Sequence, residues 1–256
     1  MVKGKIKISI ITVTFNSATT IADCISSVFD QTYSNIEHII IDGASKDNTI
    51  EIINSIPNRV SKIISEHDKG IYDAMNKGIH LATGDIVGII NSDDFYHRKD
   101  IIAKIAKSFE DKTVQATIAD VRFVNPENLE KTVRYYSSKN FSPSMFRFGF
   151  MPPHPSFFTY KKYFDEFGYY QTNYKIAADY ELLIRFLYKH KLKYKYLALD
   201  VMKMRTGGAS TASFRSNILL NKEIVRACNE NDIYTNLPLL FLKYFVKVGE
   251  LIFTRK

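Results

Sequence analysis

Apolar, β-branched runs recur through the first half of the chain at KISIITVT (7–14), IEHIIID (36–42), VSKIIS (60–65), DIVGIIN (85–91) and VQATIADVRFV (114–124). Between them lie stretches in which apolar residues return every three or four positions: 19–31, 48–56, 71–82 and 100–110. Strands alternating with helices at this spacing predict βαβ units around a mainly parallel sheet. The strands are almost continuously apolar, as expected when helices cover both faces. After about residue 125 the rhythm breaks. Residues 134–174 are rich in aromatics, Pro and Gly and read as loops and short strands; a helix is predicted at 179–190, a strand at 193–204, a loop at 205–213 and helices beyond. This organises the chain as 1–124, 125–212 and a helical extension, 213–256, with no internal repeat and no low-complexity linker.

Composition narrows the class. The 256 residues are 45% hydrophobic and 24% charged, which suits one large soluble globular unit. Cys24 and Cys228 have no metal-ligand spacing, and Cys24 falls on the apolar helical stripe of Ile21, Ile25 and Val28. A buried free thiol in a reducing cytoplasm is the expectation. The basic start followed by an apolar run resembles a leader, but the run is short, alternates with Ser and Thr and has no small-residue cleavage site, so it reads as the first strand. No apolar run approaches a membrane span. A net charge of +8 leaves nucleic acid, an anionic membrane or a phosphorylated small molecule as partners.

In an open parallel sheet, ligands bind beyond the carboxyl ends of the strands. Three of the apolar runs end there in polar residues: Thr14, Phe15 and Asn16; Asp42; and Asn91, Ser92, Asp93 and Asp94. Turn and helix-cap preferences explain any one of these, including Asp93 and Asp94 as caps of the helix expected at 98–109. Side chains alternate faces along a strand, so adjacent aspartates divide their roles unless the chain turns: one ligates a hard divalent cation, the other accepts from a ligand hydroxyl. Magnesium held by one or two carboxylates is completed by substrate phosphates. There is no P-loop, no dinucleotide-binding glycine motif and no G-x-S-x-G elbow.

ISIITVTFNSATTIADCISSVFDQTYSNIEHIIIDGASKDNT, followed by SEHDKGIYDAMNKGIHLATGDIVGIINSDD, strongly resembles glycosyltransferase family 2, the inverting nucleotide-sugar transferases of the GT-A fold. The likeness is dense over residues 6–97 and thinner to about 212. It implies that 1–124 bind a UDP- or dTDP-type sugar and that 125–212 form the acceptor side. Thr14, Phe15 and Asn16 then lie by the nucleotide, Asp42 bonds the pyrimidine base, and Asp73 with Asn76 and Lys77 belongs to the donor pocket. The pair in NSDD matches the D-x-D-type element, with Asp94 on Mn2+ or Mg2+ and Asp93 on ribose or sugar, although Asn91 and Ser92 fill the preceding positions. Asp179 in IAADYELLIRF matches the base that deprotonates the acceptor hydroxyl, while the metal stabilises the departing diphosphate; by residue type alone it is a helix cap. Glu181 and Arg185, at i and i+4, read as a surface ion pair. His154 in MPPHPSFF is a candidate acceptor contact and Arg205, with the TGGAS loop, a candidate diphosphate contact; a plain loop histidine and an ordinary turn fit the same residues.

The tail, residues 236–256, places Lys243, Lys247, Glu250 and Thr254 on one stripe of an otherwise apolar helix. It is expected either to pack on the domain or to lie in a membrane interface. The resemblance implies a saccharide or polyprenyl-linked acceptor in bacterial surface polysaccharide synthesis, and a cytoplasmic protein peripheral on the inner membrane face. Two other classes use similar features. A sugar nucleotidyltransferase would open with a Gly-rich basic loop, which TFNSATT is not, and a noncatalytic nucleotide-sugar or nucleic-acid binding protein would lack use for Asp179. No basic-aromatic motif supports nucleic acid.

Overall fold

The computed structural model describes residues 5–207 and 214–241. Strands β1 (Ile8–Thr14), β2 (Ile36–Asp42), β3 (Val60–Ser65) and β4 (Ile86–Asn91) are parallel and lie in the order β3-β2-β1-β4. Successive β1 side chains face opposite ways, so each face of the strand has its own apolar layer. Ile8 and Ile10 join Cys24 and Val28 of α1 (Ile21–Phe29) and Ile101, Ile102 and Ile105 of α4 (Ile101–Ser108). Ile11 and Val13 join Tyr72, Met75 and Ile79 of α3 (Ile71–Leu81). Helix α2 (Thr49–Ser55) packs Ile53 against Ile21, Ile25 and Ile40. Both cysteines are buried and free. Among the described residues no helix is long and apolar enough to cross a membrane.

Beyond β4 the sheet becomes mixed. The short β7 (Phe158–Tyr160) runs antiparallel to β4 and to β5 (Ala116–Asn125). β5 also pairs antiparallel with β6 (Asn128–Tyr136) and parallel with the twelve-residue β8 (Tyr194–Arg205). The join needs close approach: Gly88 of β4 lies directly against the buried ring of Phe158, where a Cβ would collide with it. The segment between β6 and β7 forms two 3-10 turns, Pro143–Phe148 and His154–Ser156, as its prolines and aromatics suggest. Helices α5 (Lys161–Phe167), α6 (Ala178–Leu183) and α7 (Phe214–Glu230) follow, α6 winding on through a π-helical stretch, Ile184–Lys189. The boundary read at 124 falls at the end of β5. Of the tail, Lys243, Lys247, Glu250 and Thr254 lie outside the described residues, as do Gly208, Ala209 and Ser210 of the glycine loop.

One expectation is overturned. Glu181 and Arg185 do form an ion pair, at 2.9 Å, but it is buried, with Glu181 only 1% exposed. The guanidinium places its Nε and one Nη2 hydrogen bond on Glu181 and spends the others on the carbonyls of Phe167 and Gly168 (2.6 and 2.7 Å) and Tyr169 (2.7 Å). Arginine's fork of donors thus ties the end of α5 to α6, a role that i,i+4 spacing cannot distinguish from a surface pair. Removing one partner of a buried pair strands the other's charge. Arg185→Met is therefore expected to cost about 3–5 kcal/mol, read as a lower urea midpoint at unchanged m-value; a loss below about 1 kcal/mol, the value of an exposed pair, would refute this account.

Candidate active site at the carboxyl edge of the sheet

β1 has β2 on one side and β4 on the other, which makes its carboxyl end the place where chain connections depart in opposite directions and a crevice opens. Register brings the ends together: Thr14 lies beside Asp42, and Val13 beside Asn91. The loops after these strands are laced to one another. Asn16 takes a left-handed conformation, φ 49°, which Asn tolerates better than most residues. Its amide donates to Ser45 Oγ (2.8 Å) and its Oδ1 accepts from Lys46 N (2.9 Å). Ser17 Oγ bonds Ser92 Oγ at 2.8 Å, closing the crevice between the β1 and β4 loops.

Asp42 is 0% exposed. Its carboxylate accepts from Ser45 N (3.0 Å), Ser65 Oγ (2.6 Å) and the Ser45 hydroxyl, so it organises the 43–45 turn. Phe15, 58% exposed, presents its ring at the mouth. A Cβ on Gly43 would fall 3.3 Å from that ring and 2.8 Å from Asp68 Oδ2. Asp68 was missed in the sequence; its signal was the HDKG turn, where it also accepts from Gly70 N at 2.8 Å.

Asp73 and Asn76 serve α3's surroundings. Asp73 accepts from Lys69 N (3.0 Å) and faces Lys77 Nζ (3.7 Å), and Lys77 turns to Glu66 (2.8 Å). Asn76 exchanges both amide bonds with the backbone of Tyr170, at 2.8 and 2.9 Å. Neither side chain is left open to the rim in the way Phe15 is.

The aspartate pair has no capping duty. Helix α4 begins at Ile101, with Asp100 at its N-cap, and Gln31 Oε1 accepts from Ile102 N at 3.0 Å. Asp94 is 2% exposed and accepts one long bond, 3.3 Å, from Asn91 Nδ2. Burial, then the charge of Asp93, pushes its carboxyl well above the usual range. Asn91 Oδ1 and Thr14 Oγ1, at the ends of β4 and β1, are buried without a partner among the described residues. An unpartnered amide oxygen beside two crowded carboxylates forms an environment that a hard cation relieves. Among the described residues no group of three or more His, Cys, Asp and Glu is arranged to hold a metal. A cation at this corner would take only one or two carboxylates from the chain. Arg205, at the end of β8, reaches this corner, donating to Asp93 O at 2.5 Å, pairing with Asp23 of α1 and lying 5.1 Å over the Phe95 ring.

Asp179 lies in the first turn of α6, after the N-cap, and takes one amide of that turn. Ala177 is the N-cap, and Glu223 of α7 accepts from the amides of residues 175, 176 and 177 at 2.8, 2.9 and 2.9 Å. Asp179 Oδ1 accepts from Tyr180 N (2.8 Å) and faces Tyr72 Oη at 3.5 Å. Burial outweighs these bonds and lifts its carboxyl to about 6. Tyr72 stacks on Tyr170 at 5.8 Å, and Tyr170 bonds His154 Nε2. Burial holds His154 down at about 4, hence neutral. A groove of about 770 Å³ lined by Tyr188, Lys189, Lys191 and Lys193 opens at the other end of β8 from Arg205 and takes no part in this rim.

The family described as "Glycosyl transferase family 2" matches residues 9–192, which include both β4 acids and Asp179. The chain belongs to glycosyltransferase family 2. As a member of this family it is a transferase. It is 28% identical over 222 residues to a PGL/p-HBAD biosynthesis glycosyltransferase of Mycobacterium bovis, covering 85% of this chain and 82% of that one. Among solved structures, the TarS 1–349 segment of S. aureus in complex with UDP-GlcNAc superposes with a TM-score of 0.67 at 16% identity, over 89% of this chain and 68% of that one. A mannosyltransferase of Pyrobaculum calidifontis, in complex with GDP-Man and Mn2+, gives a TM-score of 0.65 at 19% identity, over 88% and 65%. These likenesses show the GT-A fold.

Within this family 2 domain, the environment of Asp179 is open to direct measurement. In a 13C-carboxyl titration its midpoint is expected near 6, above the usual carboxylate range, because the group is buried. A midpoint at or below about 4, the value of an exposed aspartate, would refute this.

Proposed function

We propose that the protein is a metal-dependent, inverting transferase that moves a sugar from a nucleotide-diphospho-sugar to a hydroxyl of a saccharide or lipid-linked acceptor in bacterial surface polysaccharide synthesis. One observation carries this reading: Asp94, buried at the carboxyl edge of the sheet with one long hydrogen bond, is not spent on capping α4, whose Ile102 amide Gln31 takes. The donors named for the related structures, UDP-GlcNAc and GDP-Man with Mn2+, support the same class.

The nucleotide base stacks on Phe15 beside Thr14 and Asn16, and its N–H replaces the Ser45 hydroxyl on Asp42. Asp68, Asp73 and Asn76 shape the pocket floor, the last by anchoring Tyr170. Asp93 accepts from ribose or sugar. Asp94 would hold the Mn2+ or Mg2+, which when bound supplies positive charge for the leaving diphosphate. Arg205 brings a fixed guanidinium to the same corner. Asp179, on the acceptor side, takes the acceptor proton as the hydroxyl attacks the anomeric carbon opposite the leaving group, a geometry that inverts that carbon. His154 is neutral and buried, so it acts through Tyr170 and Tyr72 rather than on the acceptor directly. The net charge of +8 and the apolar tail fit work in the cytoplasm against an anionic membrane surface.

Asp94→Asn is expected to lose the Mn2+-dependent binding of UDP or GDP by calorimetry, whereas Asp179→Asn keeps donor binding and loses transfer by about 10²–10⁴-fold. Full activity in either variant would sink the role assigned to that residue. Because Asp179 is a base only when ionised, and its carboxyl is held at about 6, wild-type kcat/KM should rise with pH through about 6 and level off above it. A rate that falls over that interval would argue for an acid instead.

A further inference from the structure

Helix α7 begins at Phe214, beyond the family-matched stretch that ends at 192, yet it grips the segment that presents Asp179. Glu223, 7% exposed, reaches back 46 to 48 residues and spreads its two oxygens over three successive amides, those of Lys175, Ile176 and Ala177. Of these, Ala177 is the N-cap of α6 and the other two lead into it. Ala177 has no side chain that could accept a hydrogen bond. Neighbouring contacts come from the same helix: Tyr174 Oη donates to Glu230 (2.6 Å), Arg226 lies 4.2 Å over the Tyr174 ring, and just past the helix end Asn231 Nδ2 donates to Ala227 O at 2.9 Å and lies 3.4 Å from Glu181.

We propose that Glu223 is a positioning residue for the transfer reaction, holding the 175–177 backbone from α7 so that Asp179 points at the acceptor. The inference rests on reading Asp179 as the base. A carboxylate suits this grip, having two acceptor oxygens and no donor. Glu223 is also among the groups that face Asp179: Tyr72 from α3, the Tyr180 amide from its own helix and Glu223 from α7. Burial is the main cause that lifts the Asp179 carboxyl, and the Glu223 charge adds to it. Removing that charge therefore eases ionisation of Asp179.

The test uses the full chain. Glu223→Gln is expected to lower kcat about tenfold, as misplacement of a base does, at unchanged donor KM, and to move the acid limb of the pH–rate profile to lower pH. Glu223→Asp keeps the charge but is shorter, so its limb stays in place while kcat falls about threefold. A folded Glu223→Gln with wild-type kcat and an unmoved limb would overturn the proposal. Should Glu223→Gln fail to fold, Glu223→Asp decides: lowered kcat at unchanged donor KM supports the role and wild-type kcat defeats it. Asp179→Asn separates the two ideas. Transfer persisting there removes the base reading, whereas a dead Asp179→Asn beside an unmoved Glu223→Gln profile removes the positioning role alone.

Discussion

The pairing of β1 with β2 on one edge and β4 on the other is the constraint on which the site depends. It sets Thr14 beside Asp42 and Val13 beside Asn91, so three loops from separate parts of the chain leave the sheet at one level. Backbone ladder bonds fix that level, and the Ser17–Ser92 and Asn16–Ser45 bonds tighten it. A one-residue slip of β4 would turn Asn91, and the acids behind it, to the other face of the sheet. The buried Phe158 ring against Gly88 resists such a slip, because any other residue of β4 would bring a Cβ into it.

Polar groups in the molecule divide into those satisfied by the fold and those left over. Asp42 and Glu223 are engaged by backbone or serine donors, Asn76 by the Tyr170 backbone and Glu181 by the Arg185 guanidinium, and each secures a loop. Asp94, Asn91 Oδ1 and Thr14 Oγ1 are buried and poorly satisfied. Burying polar atoms without partners is costly, and part of that cost falls at the sheet's switch point.

The sheet and its helices were legible because they are local. Period-two and period-3.6 patterns recur within windows of a dozen residues, and β1 to β4 and α1 to α4 fall where those patterns place them. The rim followed from topology: strand-end acids in a parallel sheet share an edge whatever their neighbours are. The burial of Arg185 was not legible, since a salt-bridge spacing on a helix says nothing of what covers it, and its partners are the carbonyls of 167–169. Asp68 was passed over because a turn aspartate before glycine needs no other explanation. Glu223 gave no signal at all, being one acid on an amphipathic helix whose three hydrogen-bond partners lie nearly fifty residues away.

The same asymmetry bears on how such a transferase divides its labour. The first half is built from consecutive βαβ units, so its contacts are near in sequence and its motifs are dense. The second half is assembled from a strand, β8, that returns to place Arg205 on Asp93, and from a helix, α7, that clasps the approach to α6. Both are non-local contacts, and both end on residues that the first half's motifs alone would leave unsupported. The rim's geometry is thus set by strand register, whereas the approach to Asp179 is set by a helix that joins it from nearly fifty residues away.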